Sequence, residues 1–142
     1  MIEFMGKIVG FIILGLIAYA VFKHKGTHPD LFELANGEEI VEMVKGDFWL
    51  KELLWQESQN SGEIAFTNQR VLFKGTFLNS ADKDIKIPYN KIAEIKKSCI
   101  CTFIPMAFTI VTTDNESYKF AVRKRDYYIN LIQSLAQKSK EN

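Results

Sequence analysis

The stretch GEIAFTNQRVLF, residues 62–73, decides the fold that this sequence predicts. Apolar side chains recur within residues 62–66, as they do in a half-buried β-strand, and a second apolar run begins after Arg70. Thr67 and Asn68 lie between the two runs, and their short polar side chains suit a tight turn because they can bond the local backbone. Two runs joined in this way predict an antiparallel β-hairpin.

Other short runs with the character of β-strands lie on both sides of this hairpin. Pro88 ends one of them and predicts a strand end or a sheet edge, because proline has no N–H to donate to a neighbouring strand. Residues 113–116 have turn chemistry and predict a second hairpin. The run 48–55 has mixed periodicity, so a helix stays open as an alternative there. In chain order the runs are 39–44, 48–55, 84–88, 92–97, 108–113 and 118–122.

The periodicity changes near the C-terminus. Tyr127, Tyr128, Leu131, Ile132 and Leu135 fall on one face of a helix with 3.6 residues per turn. The predicted fold class is therefore mainly β (α+β): a strongly bent antiparallel sheet or barrel of about six or seven strands, capped by one C-terminal helix.

The N-terminal segment is apolar throughout its length. Residues 8–22 carry no charge, and counting from Phe4 gives about nineteen residues, enough to span a bilayer as a helix at ~1.5 Å per residue. Gly26 and Pro29 end any such helix soon afterwards. We expect a transmembrane anchor over 1–25, a linker over 26–36 and one domain over 37–142. A cleavable signal peptide ending near Ala20 and a buried core helix are the alternatives.

The charges that flank the segment predict its orientation. Lys23, His24 and Lys25 follow it, whereas Lys7 precedes it and Glu3 partly offsets that charge. Because positive residues favour the cytoplasmic side, the domain is predicted to be cytoplasmic in a single-pass membrane protein, by a margin of about one charge.

Overall charge argues against nucleic acid as a partner. The net charge is +1 at pH 7, which gives no strongly basic field. The charges are unevenly distributed, however. Residues 30–63 hold nine acidic and two basic residues, and residues 64–142 hold seven acidic and thirteen basic ones. The charge distribution therefore allows a local basic surface on the main body of the domain.

Nothing in the sequence predicts catalysis, a metal site or a cofactor. Both histidines, His24 and His28, fall in the predicted linker, and none of the common nucleophile, phosphate-loop or zinc motifs is present. Cys99 and Cys101 are too close in an extended chain for an ordinary disulfide and too few for a zinc site. We predict that they share one face of a strand as small buried hydrophobes.

The hairpin stretch resembles the G-x-L-x-L-T-N-x-R-L-x-F signature of GRAM and related bacterial PH-like domains. Residues 87–95, IPYNKIAEI, are similar to the segment that follows the hairpin in that family. A later strand pair and a closing helix match residues 108–122 and 126–137, so the resemblance covers roughly residues 37–137. Arg70 of the signature starts the return strand, where it could satisfy neighbouring carbonyls.

The resemblance implies a binding module, because its members include binders of lipid headgroups and binders of proteins. Residues 99–108 depart from the pattern by being apolar. This segment either packs inward and plugs the sheet or presents Phe103, Ile104 and Met106 to a bilayer or a partner. The basic candidates for lipid binding are Lys83, Lys86, Lys96, Lys97, Arg123, Lys124 and Arg125.

The predicted function is thus a non-enzymatic, membrane-anchored GRAM/PH-like module that binds anionic lipid headgroups, without a cofactor. The alternative is a protein-interaction or assembly subunit whose partner is another membrane protein or a second copy of the chain. Gly6 and Gly10, four residues apart, would allow close helix packing in such a dimer, although they lie at the margin of the apolar segment.

Overall fold

The computed structural model describes residues 2–23, 27–51, 57–76, 83–101 and 103–141. Within the first two ranges, side chains are described only for residues 5–17 and 27–50. Two short 3-10 turns, Pro29–Leu31 and Tyr89–Lys91, interrupt the connections. The helices and strands in chain order are α1 Ile2–Lys23, β1 Ile40–Lys51, β2 Glu57–Thr67, β3 Arg70–Gly75, β4 Asp84–Pro88, β5 Ile92–Ile100, β6 Ile104–Thr112, β7 Ser117–Ala121 and α2 Arg125–Glu141.

All seven described strands form one antiparallel sheet in the order β4-β3-β2-β1-β7-β6-β5. β1 pairs with β2 along its length and with β7 only over Asp47–Trp49. A Cβ atom on Gly46 would lie 2.7 Å from Val122 Cγ1 and 2.8 Å from the Ala121 carbonyl oxygen. Glycine is therefore required where β1 passes from one half of the sheet to the other.

The core lies between the inner face of this sheet and α2. The Phe120 ring lies 5.5–5.9 Å from the rings of Phe48, Phe73 and Phe108, distances typical of favourable aromatic contacts. α2 stacks its Tyr128 ring on Phe66 at 5.2 Å. The predicted bent sheet with a C-terminal helical cap is confirmed. The residues that α2 buries are Tyr128, Ile129, Ile132 and Leu135.

Several predicted strands are confirmed, with changes in their extent. The hairpin and its turn at Asn68–Gln69 are present, and β4 coincides with the predicted run 84–88. Pro88 ends an edge strand, as predicted. Residues 40–44 and 48–51 of two predicted runs belong to one strand, because β1 continues through Gly46. Pairing with β2 on one side and β7 on the other keeps this stretch extended. The rest of the run 48–55 lies outside the described residues.

The buried face of α2 differs from the predicted one. Tyr127 is half exposed, and its hydroxyl donates to Glu42 Oε2 at 2.6 Å, whereas Ile129 is buried. Apolar residues on α2 allow two overlapping helical faces to be buried. The face that packs against Phe66 is shifted by about one residue, from Tyr127 toward Ile129, relative to the predicted face.

Within the apolar segment 99–108, Ala107 and Phe108 are buried, whereas Phe103, Ile104 and Met106 are exposed. β5 continues to Ile100 and pairs with β6, which begins at Ile104, and Phe103 just before β6 is 77% exposed. Cys101 is exposed with a positive φ of 50°, and Cys99 is only partly buried. The prediction of two buried thiols on one strand face is wrong because β5 ends at Ile100, so Cys101 lies outside the strand.

Residues 27–39, here called the strap, bind to the outer face of β2 and β3. Every β2 residue from Gly62 to Thr67 is buried, because the core covers one face and the strap covers the other. Leu72 of β3 is also buried, and it shares a small groove with Leu31 and Phe32 of the strap. The segment predicted as a linker is thus hydrogen-bonded to the sheet.

α1 is a helix of 22 residues whose described side chains, from Met5 to Ile17, are all exposed. Among the residues that the structure describes, none of the helices has the length and apolar character needed to cross a membrane. The prediction of an N-terminal helix is confirmed, and its role as an anchor stays a prediction.

Candidate functional site

An exposed apolar tip lies beside the turn between β7 and α2. The apolar tip consists of Phe103, Ile104 and Met106, which are 77%, 38% and 38% exposed. The Val122 amide donates to the Met106 carbonyl oxygen at 2.9 Å, which holds the start of the turn against β6. Arg123 therefore directly follows Val122, a residue that is hydrogen-bonded to Met106 of the tip.

Arg125 fastens this turn to the base of the β5–β6 hairpin. Its Nη1 donates to the Ser98 carbonyl oxygen at 3.0 Å and lies 3.5 Å from the Ala107 carbonyl oxygen. Its Nε lies 3.4 Å from Asp126 Oδ1, and Lys97 Nζ lies 3.3 Å from the same oxygen. The hydrogen bond from Lys97 is the main reason that the Asp126 pKa is lowered. Arg125 and Lys97 are thus engaged in holding the turn.

The side chains of Arg123 and Lys124 are exposed and form no hydrogen bond or ion pair within the part of the chain that the structure describes. Lys96 pairs with Glu94 at 3.6 Å. It points to the face of β5 opposite to Lys97, because successive side chains of a strand alternate. The structure therefore gathers Lys97, Arg123, Lys124 and Arg125 near the tip.

Lys83 and Lys86 do not belong to this group. They lie at the start of β4 and within it, and β4 is the opposite edge of the sheet from β5 in strand order. Lys86 lines a small pocket with Asp114 and Glu116, and no described contact joins Lys83 or Lys86 to the basic residues near the tip.

A groove of about 570 Å³ adjoins the apolar tip. One part of its lining is basic, with His28 from the strap, Lys45 from β1 and Arg123 from the turn. Another part is apolar and includes Ile100 and Met106. Sequence reasoning missed this groove, because its lining comes from distant parts of the chain that no spacing motif connects.

Both carboxylates that line the groove have partners. Glu63 is 1% exposed, and its oxygens accept the His28 backbone amide at 3.0 and 3.2 Å and lie 3.4 Å from His28 Nδ1 at the nearest. Asp47 Oδ2 accepts a bond from Gln59 Nε2 at 2.6 Å. These bonds occupy acceptor positions on both carboxylates.

Arg70 of the hairpin signature has a structural role. Its Nε and Nη2 each donate to the buried Glu38 carboxylate at 2.9 Å, and Nη2 also reaches the Glu33 carbonyl oxygen at 3.1 Å. Thr67 Oγ1 donates to Glu38 at 2.7 Å, and the Ala35 amide donates at 3.0 Å. The expectation that Arg70 satisfies a neighbouring carbonyl is confirmed. The signature residues hold the strap on the sheet.

Among the described residues, no three His, Cys, Asp or Glu side chains gather as a metal site requires.

A family model, GRAM domain, matches residues 26–141, and the chain belongs to this family. The C-terminal domain of an unknown protein from Leishmania infantum is similar, with 21% identity over 84% of this chain and 98% of that chain and a TM-score of 0.59. The N-terminal PH domain of Vps36 has 17% identity, coverage of 77% and 84%, and a TM-score of 0.52. The Slm1 PH domain in complex with phosphoserine has 10% identity, coverage of 71% and 96%, and a TM-score of 0.50.

These structural similarities establish a PH-like fold. No match was found among curated proteins. The predicted family is confirmed. GRAM and PH-like domains commonly bind lipids or proteins and are generally non-catalytic.

Proposed function

We propose that this chain is a membrane-associated binding module whose domain contacts anionic lipid headgroups through the apolar tip and the adjoining basic turn. The observation that carries the proposal is that Arg123 lines the same groove as Met106, a residue of the exposed apolar tip. Exposed apolar groups insert into the headgroup region of a bilayer, and each basic residue near an anionic surface contributes about 1 kcal/mol.

The path of the chain supports the same orientation. α1 ends at Lys23, and the strap enters the domain at His28, which lines the groove beside the tip. The intervening residues reach at most about 3.5 Å each, so a bilayer that holds α1 would lie close to the tip. We include in the proposal that α1 is the single-pass anchor and that the domain is cytoplasmic.

The proposal can be tested with residues 27–142, which retain the whole described core. Co-sedimentation would compare phosphatidylcholine vesicles with vesicles that also contain phosphatidylserine. We expect binding only to the anionic vesicles. Arg123→Glu combined with Lys124→Glu should weaken it by roughly thirtyfold, from about 1 kcal/mol for each residue. Phe103→Ser should weaken it as well.

A matched control uses the same change of charge elsewhere. Lys138 and Lys140 are exposed cations in the last turn of α2. Lys138→Glu combined with Lys140→Glu should leave most of the binding intact. Equal losses from the two pairs, or equal binding to neutral vesicles, would show that net charge or apolar surface alone is responsible and would refute the proposed contact.

A second candidate, protein interaction, is favoured by the free edge of β5. This nine-residue strand ends the sheet, and a groove of about 380 Å³ separates it from α2. Edge strands can pair with an extended peptide. Capture of a membrane protein by the full chain should then be lost with Gln133→Arg and Gln137→Arg, which fill this groove, and kept with Ser134→Arg. Equal capture by all variants would exclude this site.

A further inference from the structure

We propose that the groove beside the apolar tip binds the phosphate group of a lipid headgroup, with Arg123 as its principal ligand. This inference rests on the proposed function and adds a defined site to it. The basic turn would attract an anionic surface in general, whereas the groove would hold one phosphate.

The basic side chains of the groove converge from three separate elements. Lys45 is on β1, His28 is on the strap, and Arg123 follows β7. Arg123 has no partner among the described residues, and a guanidinium presents several N–H donors in a fixed plane that suits phosphate oxygens. Ser61 and Thr76 also line the groove and bring hydroxyl groups.

The two acidic residues of the groove each have a hydrogen-bond partner within the protein. The Glu63 side chain is 2% exposed and receives the strap amide, whereas the His28 side chain is 46% exposed. Asp47 is bonded to Gln59. His28 and Arg123 therefore have greater access to a ligand than the buried Glu63 carboxylate has.

The apolar part of the groove indicates a phosphate attached to a lipid. Ile100, Met106 and Val122 line the groove, and Met106 also belongs to the exposed tip. A ligand whose phosphate contacts Arg123 could thus place its glycerol and first acyl carbons on this apolar lining, toward the bilayer. The volume of about 570 Å³ falls within the range of ordinary small-molecule sites.

Two neighbouring cations make the inference testable. Arg123 lines the groove, whereas Lys124 follows it in the same turn and is not part of the lining. Both side chains are exposed and have no described partner. Arg123→Gln and Lys124→Gln therefore remove the same charge from almost the same place, and only the first removes a group from the groove.

The experiment uses the full chain in phosphatidylcholine nanodiscs, with Cys99→Ser and an environment-sensitive fluorophore on the exposed Cys101. Three probes are titrated: glycerol 3-phosphate, dioctanoyl phosphatidic acid and dioctanoylglycerol. We expect saturable binding that is tightest for the phosphatidic acid and absent for dioctanoylglycerol. Arg123→Gln should weaken phosphatidic acid binding by about tenfold or more, as for loss of a hydrogen bond to a charged group, and Lys124→Gln by far less.

The outcomes separate this site from the proposed function. Equal weakening by Arg123→Gln and Lys124→Gln would overturn the groove site. If vesicle binding still depended on Phe103, the proposed contact of the apolar tip with the lipid surface would be retained. Equal binding of dioctanoylglycerol would show an apolar site without phosphate recognition. If glycerol 3-phosphate binds as tightly as the lipid, the ligand is a free phosphate ester and the lipid assignment is overturned. If residues 27–142 of the wild type did not bind anionic vesicles, the proposed function itself would be refuted.

Discussion

At the scale of single residues, the two buried glutamates show how the strap is held. Glu38 receives the guanidinium of Arg70, the hydroxyl of Thr67 and the amide of Ala35, all within 3.0 Å at the closest atoms. Glu63 receives the amide of His28. A buried carboxylate is costly unless such partners compensate for its lost hydration, so these contacts specify where the strap lies.

Replacing Arg70 by Met should strongly destabilise the domain. The change leaves the Glu38 side chain, which has 0% exposure, without its counter-charge, and breaking a buried ion pair in this way costs about 3–5 kcal/mol. Urea unfolding of residues 27–142 would measure the loss. Arg123→Met is the matched control, because it removes an exposed arginine and should change stability by less than about 0.5 kcal/mol. Equal effects of the two substitutions would contradict a structural role for Arg70.

The pKa of Glu38 predicts a dependence of stability on pH. Burial pushes this pKa up, but the hydrogen bonds from Arg70, Ala35 and Thr67 and the charge of Arg70 together hold it below its ordinary value. A carboxyl with a lowered pKa stabilises the fold above its unfolded-state pKa, and this stability is lost as pH falls through the folded-state pKa. The wild-type free energy of unfolding should therefore fall more steeply below about pH 4.5 than that of Glu38→Gln. Parallel curves in urea titrations at a series of pH values would refute this assignment.

At the scale of elements, β1 joins the two halves of the sheet. It pairs with β2 from Ile40 to Lys51 and with β7 around Phe48. Because Gly46 has no side chain, Ala121 and Val122 can approach it closely, and β1 can pair with β2 and β7 at the same time. The same approach brings the turn after β7 next to the groove.

Gly46→Ala should destabilise the domain by about 1–3 kcal/mol, as overpacking of a closely packed site does. The new methyl group would meet the Ala121 carbonyl oxygen, a backbone atom that cannot rotate away. Val41→Ala on the same strand is the control, because Val41 is 53% exposed. Thermal unfolding would compare the two variants, and a Gly46→Ala protein as stable as the control would disprove the close crossing.

At the scale of the whole molecule, the strap determines where α1 is attached to the domain. It binds the outer face of the sheet and enters beside the groove, so the tip and the attachment point lie at the same place on the domain. A tether raises the effective concentration of weak contacts between the domain and the bilayer. Under the proposed function α1 is such a tether, and the apolar tip then needs little affinity of its own.

This arrangement predicts different effects of one substitution in two lengths of chain. Phe103→Ser should reduce vesicle binding of residues 27–142 several-fold, because the fragment depends on the tip and its cations. The full chain should stay bound, since α1 holds it. Co-sedimentation of both lengths would test this. Release of the full-length Phe103→Ser protein from vesicles would show that α1 is not an anchor.

How much could be predicted from the sequence differs between these scales. The hairpin at 62–73, the edge strand ending at Pro88 and the closing helix follow from local alternation, turn chemistry and helical periodicity. These signals act between residues close in the chain. The family resemblance rests on the same local signals, because Thr67 and Arg70 form the turn and hold the strap.

Only the tertiary structure decided the rest. Alternation within one strand could not show that the strap covers a second face of β2, that α2 turns Tyr127 outward or that Phe103 is exposed while Phe108 is buried. The groove depends on His28, Lys45 and Arg123, which are far apart in the chain and meet because β1 crosses β7 at Gly46. Local sequence determined the elements of this protein. Contacts between distant residues decided which surfaces are buried and which are left free to bind.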